Sequence, residues 1–193
     1  MSDARLVGDR ALRLELPPGA PRRAVLAWLL AQPGVRDASL AAEHALVVFD
    51  GTPRPIAWPD AWPADRSPPV LHEVRVAYDG ADLQAVATAL GVGADEVIAR
   101  HGSAAWEVAF LGFSPGFAYL VIDDPLLSTV ARRASPRPRV PAGSVALAGG
   151  YTGVYPADTP GGWNLLGHAI DPRLLEGERP RFAVGDRVRF VRA

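Results

Sequence analysis

The chain has 193 residues, 49% of them hydrophobic and 21% charged, with 20 basic side chains against 21 acidic ones. That length allows one domain or two small ones around a substantial core, and the even charge balance provides neither a basic field for nucleic acid nor an acidic tail. With no cysteine, disulfides, thiolate metal sites and a cysteine nucleophile are all excluded.

The opening residues MSDARLVGDR are polar and lack the apolar core of a signal peptide, and no apolar run approaches the length of a bilayer span, so a cytoplasmic protein is expected. Residues 11 to 16 (ALRLEL) alternate with the period of a half-buried strand and end at Pro17, Pro18 and Gly19. Residues 21 to 32 follow as a helix with Pro21 suited to its first turn and Val25, Leu26, Trp28, Leu29 and Leu30 forming the apolar face; Pro33 and Gly34 stop it. Strands over 35–40 and 45–49 complete a small α+β unit, with His44 placed in the turn between them. Residues 51 to 69 hold six prolines and no periodicity. They read as a connector pinned by Trp58 and Trp62, with a domain boundary near residue 69 separating a unit at 1–69 from one at 70–193.

Residues 71 to 77 (LHEVRVA) open the second unit as a strand. Two short helices are predicted over 83–90 and 94–101, with Asp82 and Gly93 at their N-caps and Gly91 ending the first. A DNA-binding helix-turn-helix is rejected, because the second helix carries Asp95 and Glu96 and presents a poor surface to phosphates. From Trp106 the run WEVAFLGFSPGFAYLVI suggests a sharply bent or bulged strand. Residues 123 to 136 read as a loop or short helix rich in arginine. RFAVGDRVRFVRA reads as a final strand pair turning at Gly185 and Asp186. Many short strands and few helices make this unit a β-barrel or a sandwich.

The stretch at 136–168, PRPRVPAGSVALAGGYTGVYPADTPGGWNLLGH, carries seven glycines and five prolines among short apolar runs. Between them lie Arg137, Arg139, Ser144, Tyr155, Trp163, Asn164 and His168, a set able to bind a ligand, although a purely structural barrel segment could use the same glycines. The familiar catalytic signatures HExxH, GxSxG, GKS/GKT and GxGxxG are missing, and His44, His72, His101 and His168 have no ligand spacing, so no metal site is expected. Arginines held among prolines favour a small carboxylate or phosphate, since a guanidinium donates two parallel hydrogen bonds; the alternative for each is a solvated loop charge. His101 at a helix end can serve the helix dipole without a catalytic task.

FLGFSPGFAYL at 110–120, the upstream His101 and the whole of 136–168 resemble the family of 5-oxoprolinase B subunits, also labelled allophanate hydrolase subunit 1 and including the sporulation kinase A inhibitor. The resemblance spans essentially the whole chain. It implies a small α+β N-terminal domain followed by a cyclophilin-like β-barrel domain, corresponding to the carboxyltransferase portion of urea carboxylase. It further implies a partner of the 5-oxoprolinase C-subunit type, with an A-subunit-like protein as a further candidate, in an ATP-dependent opening of 5-oxo-L-proline to L-glutamate. ATP would be bound by the complex, and the chain alone would be inactive. An alternative is a regulatory protein that inhibits a sensor histidine kinase; a urea carboxylase role would need a biotin carrier and a carboxylase acting in trans. Carried over by position, the resemblance implies catalytic roles for His101, Arg139 and Ser144. Substrate contacts are implied for Phe113, Pro115, Gly116, Phe117, Pro141, Gly143, Tyr155, Gly161, Gly162 and Trp163. The chain departs from the family pattern at Tyr151, where a glutamine is usual, and in the run HGSAAW at 101–106.

Overall fold

A computed structural model describes residues 4–63, 68–103, 105–170 and 172–193. The first part contains strands β1 (Arg5–Val7) and β2 (Ala11–Glu15), helix α1 (Arg22–Leu30), and strands β3 (Val35–Leu40) and β4 (His44–Phe49). The strands form an antiparallel sheet in the order β1-β2-β4-β3. Strand β1, too short for its sequence to suggest a strand, pairs along β2. Alternation works as expected in β2, where Leu12 and Leu14 are buried while Arg13 and Glu15 are exposed. Helix α1 buries Val25 and Leu29 against Leu14, Val47 and Phe49, and Pro21 sits at its N-cap, one residue before its first turn.

His44 is not in the turn. It is the first residue of β4, opposite Glu15, with Nε2 2.7 Å from a guanidinium nitrogen of Arg13. The connector has no regular structure over the described residues 51–63, and its residues 64–67 lie outside them. Trp58 and Trp62 pack on Trp28 at ring-centre distances of 5.7 and 6.1 Å, and Trp58 Nε1 donates to the Glu15 carbonyl at 3.1 Å. The two tryptophans are packing residues of the sheet unit.

The remainder contains β5 (Leu71–Ala77), α2 (Leu83–Leu90), α3 (Ala94–Ser103), β6 (Trp106–Leu111), β7 (Ala118–Val121), β8 (Arg137–Val140) and β9 (Ser144–Ala148). These are followed by β10 (Tyr151–Val154), β11 (Thr159–Gly161), β12 (Asn164–Ala169), β13 (Leu175–Glu176), β14 (Arg179–Pro180) and β15 (Arg187–Arg192). Seven strands close into a barrel in the order β10-β7-β6-β15-β5-β12-β9, with β9 pairing back to β10. Closure removes the sheet edges that a sandwich would leave. Inward-facing Val74, Val76, Val108, Leu120, Val145, Leu147, Leu166 and Phe190 form one cluster with Val86, Ala87, Val97 and Ile98 of the two helices. The wall closes tightly at Gly167, where an added Cβ would collide with the Ala77 carbonyl oxygen of β5.

Two expectations change. The aromatic run from Trp106 is two antiparallel strands, β6 and β7, joined by a loop, with the register shift inside β6 between Val108 and Phe110. The turn at Gly185 and Asp186 does not join a hairpin: β15 instead runs parallel to β5 and antiparallel to β6. Asp186 holds that turn by accepting the amides of Ala183 and Val70 and bonding His72 at 2.9 Å. An acidic residue next to glycine can therefore bind backbone elsewhere and need not mark a two-residue strand reversal.

The sheet unit and barrel share a core. Ala109, Phe110, Tyr119, Val121 and Tyr151 from the outer barrel wall pack in the same cluster as Leu14, Leu29, Val47 and Phe49. Arg22 lies over the Phe110 ring at 5.8 Å, and Arg23 is 3.7 Å from Asp186. Among the described residues no helix is long and apolar enough to cross a membrane.

Candidate functional site

The sequence SVALA of β9 is buried at every position. Val145 and Leu147 face the barrel interior, whereas Ala146 and Ala148 leave room on the outer side for large rings. Phe117, Tyr155 and Trp163 fill that space with Val140 and Leu165. Phe117 meets Tyr155, Trp163 and Tyr119 edge-on at 5.2, 5.5 and 5.1 Å. Tyr119 continues the cluster by stacking on Phe110 at 4.2 Å and meeting Tyr151 at 5.7 Å. Edge-to-face packing leaves each ring's faces in contact with its neighbours' edges and makes the assembly rigid.

Phe113 is different. It packs edge-on to Phe117 at 5.3 Å and to Tyr155 at 6.1 Å but remains 58% exposed, with φ of +70°. The Ser114 amide donates to the Gly112 carbonyl at 2.9 Å, so Phe113 is the central residue of a positive-φ γ-turn, a rare and strained conformation. Pro115 and Gly116 complete the loop, with Gly116 at φ +82° beside the Leu175 side chain.

Several of the expected site residues support this face through their backbone. The Gly143 amide donates to the Tyr155 carbonyl at 2.7 Å, the Tyr155 amide to the Ser144 carbonyl at 2.9 Å, and the Ser144 amide to the Pro141 carbonyl at 3.2 Å. Gly161 is required by proximity: an added Cβ would lie 2.5 Å from the Tyr155 hydroxyl and 3.0 Å from a Val140 methyl. The Gly162 carbonyl accepts the Arg133 amide at 2.9 Å. Phe113, Phe117, Tyr155 and Trp163 thus come together, with Pro141, Gly143, Ser144, Gly161 and Gly162 as their frame.

Arg139 and His101 lie apart from the rings. Arg139, 75% exposed in its side chain, donates from Nε to Asp158 at 2.8 Å, and Asp158 also accepts the Ala142 amide. The Ala142 hydrogen bond first, then that of Arg139, holds the Asp158 carboxyl below its usual range. His101 is fully buried, with its ring against Trp106 and Phe190. Thr152 donates its hydroxyl proton to the Ala146 carbonyl at 2.9 Å, so His101 Nε2 donates to Thr152 at 2.8 Å and Nδ1 accepts the Tyr78 hydroxyl at 2.8 Å. Burial lowers the imidazole to a pKa of about 3, so the ring is neutral at ordinary pH and ties α3 to β10 and to the segment after β5. No hydrogen bond joins it to Ser144 among the described residues. The helix-end reading also gives way, because the ring points into the barrel core.

Arg137 is neither ligand-facing nor solvated. Its guanidinium and that of Arg133 meet the buried Asp82 carboxylate at 2.8 and 2.7 Å, and the Leu165 amide donates to the same carboxylate at 2.7 Å. Burial pushes Asp82 up, but the Arg137 and Leu165 hydrogen bonds and the two arginine charges outweigh it and leave the carboxyl below its usual range. Asp82 occupies the N-cap position of α2 without a side-chain capping bond, so the expected cap is a cross-link instead. Sequence reasoning misses Asp82, Tyr78 and Thr152 as partners, because their contacts span 23 to 83 residues. Tyr119 is readable only as one aromatic in a rich run, and no local signal marks Arg132 at the border of the rings.

The aromatic cluster on the outside of the closed barrel is buried or partly buried except at Phe113, which offers one open ring to a ligand; the described residues assemble no paired nucleophile and base. This is a closed barrel of the carboxyltransferase type. The chain belongs to the family described as carboxyltransferase domain, subdomain C and D, matching it over residues 3–172. It is 38% identical to the B subunit of 5-oxoprolinase from Escherichia coli O157:H7, over 96% of this chain and 94% of that one. The corresponding protein of Bacillus subtilis is 42% identical over 63% of this chain and 52% of its own length. Among solved structures, TTHA0988 superposes with a TM-score of 0.73 at 35% identity, over 95% of this chain and 40% of that one. The urea amidolyase of Kluyveromyces lactis shares the fold with a TM-score of 0.74 at 17% identity, over 100% of this chain and 15% of that one.

Proposed function

We propose that this chain is the B-type subunit of a heteromeric, ATP-dependent 5-oxoprolinase that converts 5-oxo-L-proline to L-glutamate together with a protein of the C-subunit type. An A-subunit-like protein is the further partner. The observation that carries this reading is the 38% identity to a 5-oxoprolinase B subunit along nearly the whole of both chains. Phe113 supports it, as an exposed ring packed edge-on against the buried Phe117 and Tyr155.

An unstrained lactam resists water. Transfer of the γ-phosphoryl group of ATP to the amide oxygen, with release of ADP, would make the ring carbon electrophilic. One water adds, the ring nitrogen takes a proton and leaves as the amine to give a carboxyl phosphate, and a second water hydrolyses that to glutamate and phosphate. The starts of α2 and α3 do not suit a triphosphate. Helix α3 opens on Asp95 and Glu96, and Asp82 stands at the start of α2, so carboxylates occupy positions where phosphate would need bare amides. In this reading ATP is bound by the complex and the lactam lies on this chain.

Reconstitution of the complex from its purified components tests the reading. Omission of this chain is expected to abolish 5-oxo-L-proline-dependent ATP hydrolysis, whereas undiminished turnover without it would reject the proposal.

A further inference from the structure

Four arginines fall between residues 132 and 139, and three are matched to carboxylates: Arg133 and Arg137 to Asp82, and Arg139 to Asp158. Arg132 has no carboxylate partner among the described residues and is exposed. It is nevertheless held in place. Asn164 Nδ2 donates to the Ala131 carbonyl at 2.8 Å and the Arg133 amide to the Gly162 carbonyl at 2.9 Å, which ties the backbone on both sides of Arg132 to the residues flanking Trp163.

Its charge reaches the aromatic face. Burial raises the hydroxyls of Tyr119 and Tyr155 above the usual phenol value, and the positive charge of Arg132 pulls both back. Two buried hydroxyl oxygens in the bordering segments lack hydrogen-bond partners: Ser114 Oγ, next to Phe113, and Thr159 Oγ1, on the residue paired with Val140. Buried polar atoms normally have partners, so these two hydroxyls hold unused hydrogen-bonding capacity.

We propose that Arg132 anchors the carboxylate of the lactam substrate and sets the site's preference for an acidic ring, with the ring itself lying against Phe113, the exposed aromatic of the cluster. The inference rests on the 5-oxoprolinase reading above. A guanidinium offers a planar fork that matches a carboxylate in two parallel hydrogen bonds, and Arg132 has that fork unoccupied.

The test uses the reconstituted complex with wild-type, Arg132→Ala and Arg132→Lys chains. For Arg132→Ala, KM for 5-oxo-L-proline is expected to rise tenfold or more while kcat changes little, because a charge-assisted contact made equally in ground and transition states acts on binding. Inhibition by 2-pyrrolidinone, the same ring without a carboxylate, should be unchanged, and Arg132→Lys should recover part of the loss. The melting temperature and assembly of the variant complex are measured alongside. A wild-type complex that turns over 5-oxo-L-proline, with an Arg132→Ala variant of unaltered KM or with equal weakening toward both ring compounds, overturns the inference alone. A wild-type complex with no such turnover overturns the functional reading and the inference together.

Discussion

Phe113 holds a positive φ at a cost of about 1–3 kcal/mol for a residue with a Cβ, and its exposed ring gains little burial in return. Strain maintained on an exposed aromatic beside the proposed ligand face fits a positioning task. Phe113→Gly removes the strain but gives the unfolded chain more freedom, and the two effects are similar in size at about 1 kcal/mol. The expected outcome is a melting temperature within a few degrees of wild type together with loss of turnover in the complex. A large fall in melting temperature would show the ring to be structural.

His101 supplies the pH prediction. In the unfolded chain a histidine takes up a proton near its ordinary value of 6.5, whereas burial holds this one at about 3 in the folded chain. Between those values the unfolded state binds a proton that the folded state does not, so stability present above about pH 6.5 is lost as pH falls toward 3. Urea unfolding across this range should show that slope reduced in His101→Gln. An unchanged slope would assign the acid sensitivity to the carboxyls that lie below their usual range, Asp82, Asp124, Asp158 and Asp186.

At the scale of elements, Asp82 joins the start of α2, strand β8 through Arg137 and strand β12 through Leu165. Its removal leaves two arginines facing a partly buried space without a counter-charge. Asp82→Ala should therefore destabilise the chain by about 2–4 kcal/mol, less than a fully dry pair would cost because both arginines retain some exposure. Thermal unfolding would show this as a drop larger than those of Arg133→Ala and Arg137→Ala taken singly.

Strand and helix placement is largely readable wherever the apolar period is strong. Leu71–Ala77 and Leu83–Leu90 fall where their patterns put them, and Trp58 and Trp62 pack as their place in a proline-rich connector suggests. The misreadings share one cause. β1 is three exposed residues long and lives on its pairing with β2, the turn at Asp186 depends on Val70 and His72 far upstream, and β15 finds a parallel partner more than a hundred residues away. Local sequence carries no record of such partners. Of the candidate site, the aromatic residues and their glycine frame are legible through resemblance, whereas the buried setting of His101 and the uncompensated Arg132 become visible only once distant segments meet.

The whole molecule depends on the shared core between sheet and barrel. Phe110, Tyr119, Val121 and Tyr151 are covered by the N-terminal sheet and α1. Residue 70 marks the start of the proposed barrel unit, and a fragment of residues 70–193 would expose that covered wall. Such a fragment should bind an apolar dye more strongly and melt at lower temperature than the full chain; equal melting would establish the two units as energetically independent.

The parallel pairing of β15 with β5 also sets a schedule for synthesis. Both neighbours of β15 in the wall, β5 and β6, leave the ribosome long before it does, and each must wait with a bare edge until residues 187–192 emerge. The N-terminal sheet has all its strands from the first fifty or so residues and faces no such delay. A nascent chain would carry a finished sheet and an open, adhesive trough, so the interval before β15 arrives is when the cell must guard it against aggregation.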